Sequence, residues 1–158
     1  MSYVTPITNR SAADLLAKNS KAYFNVADWA RIYGNAQYVN AEIQTKTGWV
    51  VPFITATTPT TSSIPAVSDF NNLLANIEAM RQYVCAAMSI VIAPFYTLVW
   101  VAGPGNLAPS YIDVNQWESV IDQIKTNMDN YVGVFIRSGL GISGSSLVQS
   151  HRFRTYAV

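Results

Sequence analysis

Apolar residues recur at every third or fourth position in three stretches of the chain, Trp29–Ile43, Phe70–Met88 and Val114–Phe135. This spacing places the apolar side chains on one face of a helix and leaves polar side chains on the other. The pattern predicts three long helices that pack through their apolar faces. Their shared core is expected to contain Trp29, Ile32, Phe70, Leu74, Ile77, Trp117, Ile121 and Ile124.

Capping residues mark where two of the helices begin. Asn25 is a favoured N-cap, and Asp28 follows it in the first turn, so the first long helix is predicted to begin there. A shorter helix is predicted from Ser11 to about Lys18. Ser11 is its expected cap, and Asp14 stands at the position that completes a capping box.

The other helix limits follow from glycine, proline and aspartate. The first long helix is predicted to end at Gly48, because glycine favours the left-handed conformation that closes a helix. The second is predicted to begin at Ser68 or Asp69 and to end before Pro94. The third is predicted to begin near Asp113.

The connections between the long helices are predicted to be extended. Residues 47–65 hold three prolines and a run of threonine and serine, a composition that does not form a packed helix. The apolar stretch Ile90–Val101 is predicted to be a second, buried extended segment. The first half of residues 47–65 is expected to be held against the core by Trp49, Val51, Phe53 and Ile54.

One apolar stretch is long enough to span a bilayer. No charged residue stands between Gln82 and Ile112, and Tyr83–Ala102 is mostly apolar. Pro94 interrupts this stretch, no cluster of Lys or Arg follows it, and its first part continues an amphipathic helix. We therefore expect no membrane span, with a small membrane-associated protein as the weaker alternative.

Together these elements predict a mainly α fold, an antiparallel helical bundle of about three long helices with long extended connections. Residues 1–137 are expected to form the helical core domain. Residues 138–158 begin with a glycine- and serine-rich hinge and continue with β-forming residues, which predicts an extended C-terminal arm, with disorder as the alternative. The arm is expected to reach onto a neighbouring chain through Leu147, Val148, His151, Arg152, Phe153, Arg154, Tyr156 and Val158.

The charge balance limits the possible partners. Charged residues make up 12% of the chain, about half the usual share, and the net charge is +1. Scattered basic residues and near neutrality favour neither nucleic acid nor an anionic membrane as partner. Cys85 is the single cysteine, so it has no intrachain disulfide partner, and we interpret it as a buried small apolar side chain. The N-terminal residues lack the pattern of a secretory signal peptide.

Few residues have the pattern of a reactive site. His151, the single histidine, follows Ser150, but adjacent residues of an extended strand point to opposite faces. Gly139-x-Gly141-x-x-Gly144 matches a dinucleotide-binding spacing but follows a helix, which is the wrong context for binding phosphate. Asp122 and Asp129 are interpreted as solvated carboxylates rather than metal ligands. We expect no catalytic residue, no cofactor and no metal, so the chain is predicted not to be an enzyme.

Short polar motifs follow one another along most of the chain. They are Asn9-Arg10-Ser11-Ala12-Ala13-Asp14, then Lys21-Ala22-Tyr23-Phe24-Asn25-Val26-Ala27-Asp28 with Arg31-Ile32, then Trp49, Asn76-Ile77 with Arg81, Pro109 with Asn115-Gln116-Trp117-Glu118, and the terminal pairs Ser138-Gly139 and Ser143-Gly144. Because these motifs follow one another in this order, the sequence resembles small virion structural proteins encoded among the tail genes of phages and prophages of Gram-positive bacteria.

The resemblance implies a structural component of a tail, baseplate, collar or fibre, assembled in the host cytoplasm. It implies copies of the same chain and other virion proteins as partners, and it implies no catalytic residue. The alternative is a carbohydrate-binding or host-adhesion module, because four Trp and nine Tyr provide candidate stacking surfaces for sugars. Trp29 and Trp117, however, stand on the predicted core faces, which favours packing over sugar binding.

Overall fold

The structure is a computed structural model that describes residues 2–21, 23–57, 59, 65–95 and 109–140, with side chains up to Tyr131 in the last range. These residues contain four helices and no strand, which confirms the predicted mainly α fold with three long helices. The helices are α1 (Ala12–Leu16), α2 (Val26–Thr47), α3 (Val67–Met88) and α4 (Tyr111–Leu140).

The chain divides into two compact units, Met1–Lys125 and Thr126–Val158, and the division falls within α4. In the second unit the helix continues to Leu140, three residues beyond the predicted domain limit at 137. The rest of the predicted C-terminal arm, with all eight of its interface candidates, lies outside the described residues.

The predicted cap at Asn25 is confirmed. Its carboxamide oxygen accepts hydrogen bonds from the backbone N–H groups of Ala27 and Asp28, at 2.9 and 3.1 Å. The Asp28 carboxylate in turn accepts from the Asn25 N–H at 3.2 Å, which completes a capping box. At the other end of α2, Gly48 adopts a φ of 74°, the left-handed conformation expected of a glycine that closes a helix.

Asn25→Ala is expected to lower the free energy of unfolding by about 1 kcal/mol, because free N–H groups of the first turn of α2 lose their acceptor. Urea denaturation followed by far-UV circular dichroism measures this loss. Asn25→Ser is the matched control, since a serine hydroxyl also caps a helix. An equal loss in both variants would contradict a capping role.

The remaining helix starts agree with the prediction to within two residues. Ser11 and Asp14 form the predicted capping box of α1. Ser110 and Asp113 pair in the same way at the start of α4. Helix α3 begins at Val67, one residue before the predicted start, and Asp69 accepts a hydrogen bond from the Ala66 N–H at 3.0 Å.

The long helices run parallel within the first unit, so the predicted antiparallel arrangement is wrong. The rings of Trp29 and Phe70, near the starts of α2 and α3, lie 5.2 Å apart. The rings of Trp49 and Tyr83, near the ends of the same helices, lie 5.3 Å apart. The beginnings of α2 and α3 therefore lie together, as do their ends.

Helix α4 follows the same direction as α2. Arg31 in α2 pairs with Glu118 at 2.6 Å, and further along both helices Glu42 pairs with Lys125 at 3.5 Å. Parallel neighbours require the chain to return to the starting end between helices. A 22-residue helix is about 33 Å long, and the connection 48–66 is long enough to cover that distance in extended form.

Residues 48–57 run back between α2 and α3. The Ala56 N–H donates to the Tyr33 hydroxyl of α2 at 2.9 Å, and Asn76 of α3 binds the backbone of Ile54. Val51 is buried as predicted, whereas the Ile54 side chain is exposed, so this residue is held by its backbone and not by its side chain. Trp49 and Phe53 are half-buried.

Residues 90–95 run back along α3 in a similar way. The Ile92 carbonyl accepts a hydrogen bond from Arg81 at 2.8 Å, and the Ile92 N–H donates to the Cys85 sulfur at 3.3 Å. Ile92 and Phe95 are buried as predicted, but Val91 is 94% exposed, and Cys85 is half-buried where the sequence predicted a buried side chain. No helix among the described residues is long and apolar enough to cross a membrane.

The core repeats one pattern of positions. Asp69 follows Asp28 by 41 positions (28 to 69), and all eight buried residues of α2 have a buried counterpart in α3 at this offset. In α4, Trp117, Val120, Ile121 and Ile124 repeat the spacing of Trp29, Ile32, Tyr33 and Ala36, and all are buried. Phe70 lies 6.4 Å from Trp117 and 5.2 Å from Trp29. Equivalent aromatic residues of three parallel helices thus join one cluster, and all eight predicted core residues are buried.

Candidate functional site

Residues 2–11 occupy the groove between α2 and α4 and run opposite to both helices. Near the start of the segment, the Tyr3 hydroxyl donates to Asp122 of α4 at 3.0 Å, and the Tyr3 ring lies 5.8 Å from that of Tyr38 in α2. At its end, Arg10 reaches Asn115, near the start of α4. We name residues 2–11 the N-terminal segment, and the space that they fill the α2–α4 groove.

Three asparagine side chains form hydrogen bonds with the backbones of extended segments. Asn35 of α2 accepts from the Val4 N–H at 2.9 Å and donates to the Val4 carbonyl at 2.7 Å. Asn76 of α3 makes the same pair of bonds with Ile54, both at 2.7 Å. Asn115 of α4 binds the backbone of Arg10, at 3.2 and 2.8 Å. Each carboxamide satisfies a donor and an acceptor of one residue, as a neighbouring β-strand would.

Asn76→Ala is expected to lower the free energy of unfolding by about 1–3 kcal/mol, because the Ile54 N–H and carbonyl lose both partners near the protein interior. Chemical denaturation monitored by tryptophan fluorescence measures the loss. Asn72→Ala, at a half-exposed position of the same helix, is the control and should change stability by less than about 0.5 kcal/mol. Equal effects of the two substitutions would show that the backbone pairing at Ile54 contributes nothing.

Beside the Asn115 contact, four charged side chains form a network. We name it the buried network, because three of the side chains are buried and only Arg31 is partly exposed. The Arg10 Nη2 lies 2.8 Å from Asp28 Oδ1 and 3.1 Å from Glu118 Oε1. Arg31 pairs with both carboxylates as well, at 2.6 Å from Glu118 Oε1. Two guanidinium groups thus balance two carboxylates. The Arg10 and Glu118 side chains are only 2% and 1% exposed, so water contributes little to their solvation.

The network also holds the backbone of the N-terminal segment. Glu118 accepts a hydrogen bond from the Ile7 N–H, and Arg10 donates one to the Ile7 carbonyl. Burial acts to lower the pKa of Arg31, but hydrogen bonds to Glu118 and Asp28 outweigh it and raise that pKa above its ordinary value. In this arrangement the charged atoms face one another, so the network fixes the positions of α2, α4 and the segment between them.

A second, exposed set of polar contacts follows the N-terminal segment. Asp14 accepts hydrogen bonds from the Asn19 side chain at 2.9 Å and the Ser11 hydroxyl at 2.7 Å. Lys21 donates to the Asn9 carbonyl at 2.9 Å and lies 3.8 Å from the Asp14 carboxylate. These contacts close the chain between Asn9 and Lys21 into a local loop around α1.

Asp14 is expected to titrate well below an ordinary aspartate. The hydrogen bond from Asn19, followed by that from Ser11, lowers its pKa from 3.8 to about 2. A depressed pKa means that the folded loop favours the charged carboxylate, so this contribution is present above pH 3.8 and is lost as the pH falls toward 2. NMR titration of the Asp14 carboxyl measures the midpoint. Asn19→Ala should move it upward, and an unchanged midpoint in that variant would contradict the assignment.

The sequence prediction missed the buried network as a site. The sequence analysis places Arg10, Arg31 and Glu118 only in short motifs and gives Asp28 a role in the first turn of α2. Asp28 and Glu118 nevertheless each stand beside a tryptophan on the apolar face of a helix. A carboxylate at the edge of a buried stripe needs a partner, and this is the signal that points to the network. The repeated spacing of Asp28 to Asn35 and Asp69 to Asn76 is a second such signal.

Other candidate residues fall outside the network. Asp122 accepts from Tyr3, and His151 lies outside the described residues. Trp29 and Trp117 are buried in the core, as their positions on the stripes predicted. The described part of the chain contains no group of three or more metal-ligating side chains.

Comparison with known proteins found no matching family model, no similar curated protein and no similar solved structure.

Proposed function

We propose that this chain is a structural subunit of a phage particle, a component of a tail, baseplate, collar or fibre. In this role it assembles with copies of itself or attaches to neighbouring virion proteins, and it has no catalytic activity of its own. The first support is the order of motifs that resembles small virion proteins. The second is what the residues of those motifs do in the fold.

The main support for the proposal is that the side chains of these motifs link separate segments of the chain. Arg10, Asp28 and Glu118 come from three separate motifs and meet in one buried network. Asn76 and Asn115 hold extended segments by their backbones. Polar residues of an enzyme site typically present reactive atoms to a cleft, whereas here they are engaged with the protein's own backbone and charges.

Self-association is also consistent with the exposed apolar side chains. Leu16 is 85% exposed and Val91 is 94% exposed, and Val50 and Ile112 are more than half exposed. A surface with few charges offers little electrostatic repulsion between copies. Such side chains lose contact with water when subunits pack together, which favours association.

The proposal is tested by the mass of the assembled chain and by its presence in particles. Light scattering after size exclusion, over a range of protein concentrations, should give a mass above that of the 17.4 kDa chain. Mass spectrometry of particles purified from an induced culture of the encoding strain should detect the protein. A monomer at every concentration that is absent from the particles would overturn the proposal, and glycan binding by that monomer would favour the adhesion module.

A further inference from the structure

Three extended segments lie along the parallel helices but are connected to them differently. Residues 48–57 lie between α2 and α3, and they connect these same two helices. Residues 90–95 follow α3 directly and return along it. The α2–α4 groove is filled by the N-terminal segment, which does not connect the helices that it separates. In the direction of α2, residues 12–25 join the occupant of this groove to the core.

Those intervening residues are held by surface contacts, such as the hydrogen bond from Lys21 to the Asn9 carbonyl. None of residues 12–21 is buried, and α1 contributes no side chain to the core. Leu15 and Leu16 of α1 are exposed, Leu16 by 85%. Lys18 adopts a φ of 51°, a left-handed conformation that costs free energy for a residue with a Cβ atom. We name residues 12–21 the linker.

The groove recognises its occupant by polar contacts. It binds the backbone of Val4 through Asn35 and that of Ile7 through Glu118, while the Val4 side chain remains exposed. Arg10 is the one buried side chain of the segment, and without it the Asp28 and Glu118 carboxylates would share Arg31 alone. An unpaired buried carboxylate is costly, so the groove requires a segment that carries an arginine at this position.

We propose that copies of this chain exchange their N-terminal segments, so that Arg10 of one copy pairs with Asp28 and Glu118 of another. The inference rests on the proposed assembly function and names the surface through which copies join. Every contact within the groove is the same whether the segment comes from its own chain or from a second copy. The two states differ in the linker. Exchange gives up the contact between Lys21 and Asn9 of one chain, but it releases the left-handed Lys18 and allows Leu15 and Leu16 to become covered.

Two tyrosines report where the segment lies. The rings of Tyr3 and Tyr38 are 5.8 Å apart across the groove, close enough for photo-oxidative coupling to dityrosine. Trypsin places them in separate peptides, since Arg10 and Arg31 lie between them. The full chain therefore needs no added label other than nitrogen isotopes.

Equal amounts of ¹⁴N and ¹⁵N chain are unfolded together, refolded, photo-crosslinked and digested, and the Tyr3–Tyr38 product is examined by mass spectrometry. With exchange, the assembled fraction should contain mixed-isotope products approaching half of the total. Lys18→Gly removes the left-handed cost from the unexchanged state, so it should lower the mixed fraction although it leaves the groove unchanged.

The outcomes separate this inference from the proposed function. Only unmixed Tyr3–Tyr38 products in a fraction of high mass would overturn segment exchange while assembly stands. A chain that stays monomeric and yields only unmixed products would overturn both. Side-by-side copies are identified by refolding the two isotopic chains separately and mixing them just before cross-linking. A mixed fraction as high as after joint refolding would show that copies merely lie side by side, and it would likewise overturn exchange.

Discussion

Arg10→Met is expected to lower the free energy of unfolding by about 3–5 kcal/mol, because it leaves two buried carboxylates with one guanidinium. Asp28 and Glu118 would then share Arg31, and the Ile7 carbonyl would lose a donor. Methionine retains most of the length of the arginine side chain, so the loss reports mainly charge and hydrogen bonding. Chemical denaturation with a two-state fit gives the value.

Two further variants identify the cause of that loss. Adding Asp28→Asn to Arg10→Met removes the unpaired charge and should restore part of the lost stability. Lys46→Met is the control, since the pair that it breaks with Glu42 is partly exposed and contributes at most about 1 kcal/mol. A loss in Arg10→Met no larger than in Lys46→Met would show that the network does not stabilise the fold.

The helices and their ends could be predicted because their signals are local. Asn25 and Asp28 stand three positions apart, and their capping box depends on the backbone between them. The apolar stripes repeat within one or two turns, so eight core residues could be named from spacing alone. Neither kind of signal depends on where the rest of the chain lies.

The direction of the helices could not be predicted in this way. Long helices in a row favour antiparallel neighbours when the connections are short. Here the connections are long, and the chain returns between helices because Asn76 and Arg81 bind the backbones of Ile54 and Ile92. The residue whose backbone is bound can be of almost any type, since nearly all residues offer the same N–H and carbonyl. Such a contact therefore leaves no pattern in the sequence of the bound segment.

The buried network was hidden for a related reason. Arg10 and Glu118 are 108 positions apart, and Asp28 has a second role in a cap that explains its presence without the network. One sequence signal was nevertheless available. The 41-position repeat of Asp28 and Asn35 at Asp69 and Asn76 joins polar residues to equivalent places on two stripes. That repeat indicates that the two helices present equivalent faces.

Truncation of the repeated core positions is expected to have the second large effect. Leu74 and Ile121 occupy the same place in α3 and α4 that Tyr33 occupies in α2, and they are 3% and 1% exposed. Leu74→Ala and Ile121→Ala should each lower the free energy of unfolding by about 2–5 kcal/mol, through lost burial and the cavity left behind.

The chain supplies matched controls for both truncations. Leu16→Ala removes the same atoms at a position that is 85% exposed, and Ile112→Ala does so at a position that is 52% exposed. Measured on the monomer at low protein concentration, both should change the free energy of unfolding by less than about 0.5 kcal/mol, since neither truncation leaves a cavity. If Leu74→Ala and Ile121→Ala lower the free energy of unfolding no more than their controls, the apolar faces of the three long helices do not share one core. If only one of the two truncations has an effect as small as its control, the helix that carries it does not contribute to the core around Trp29, Phe70 and Trp117.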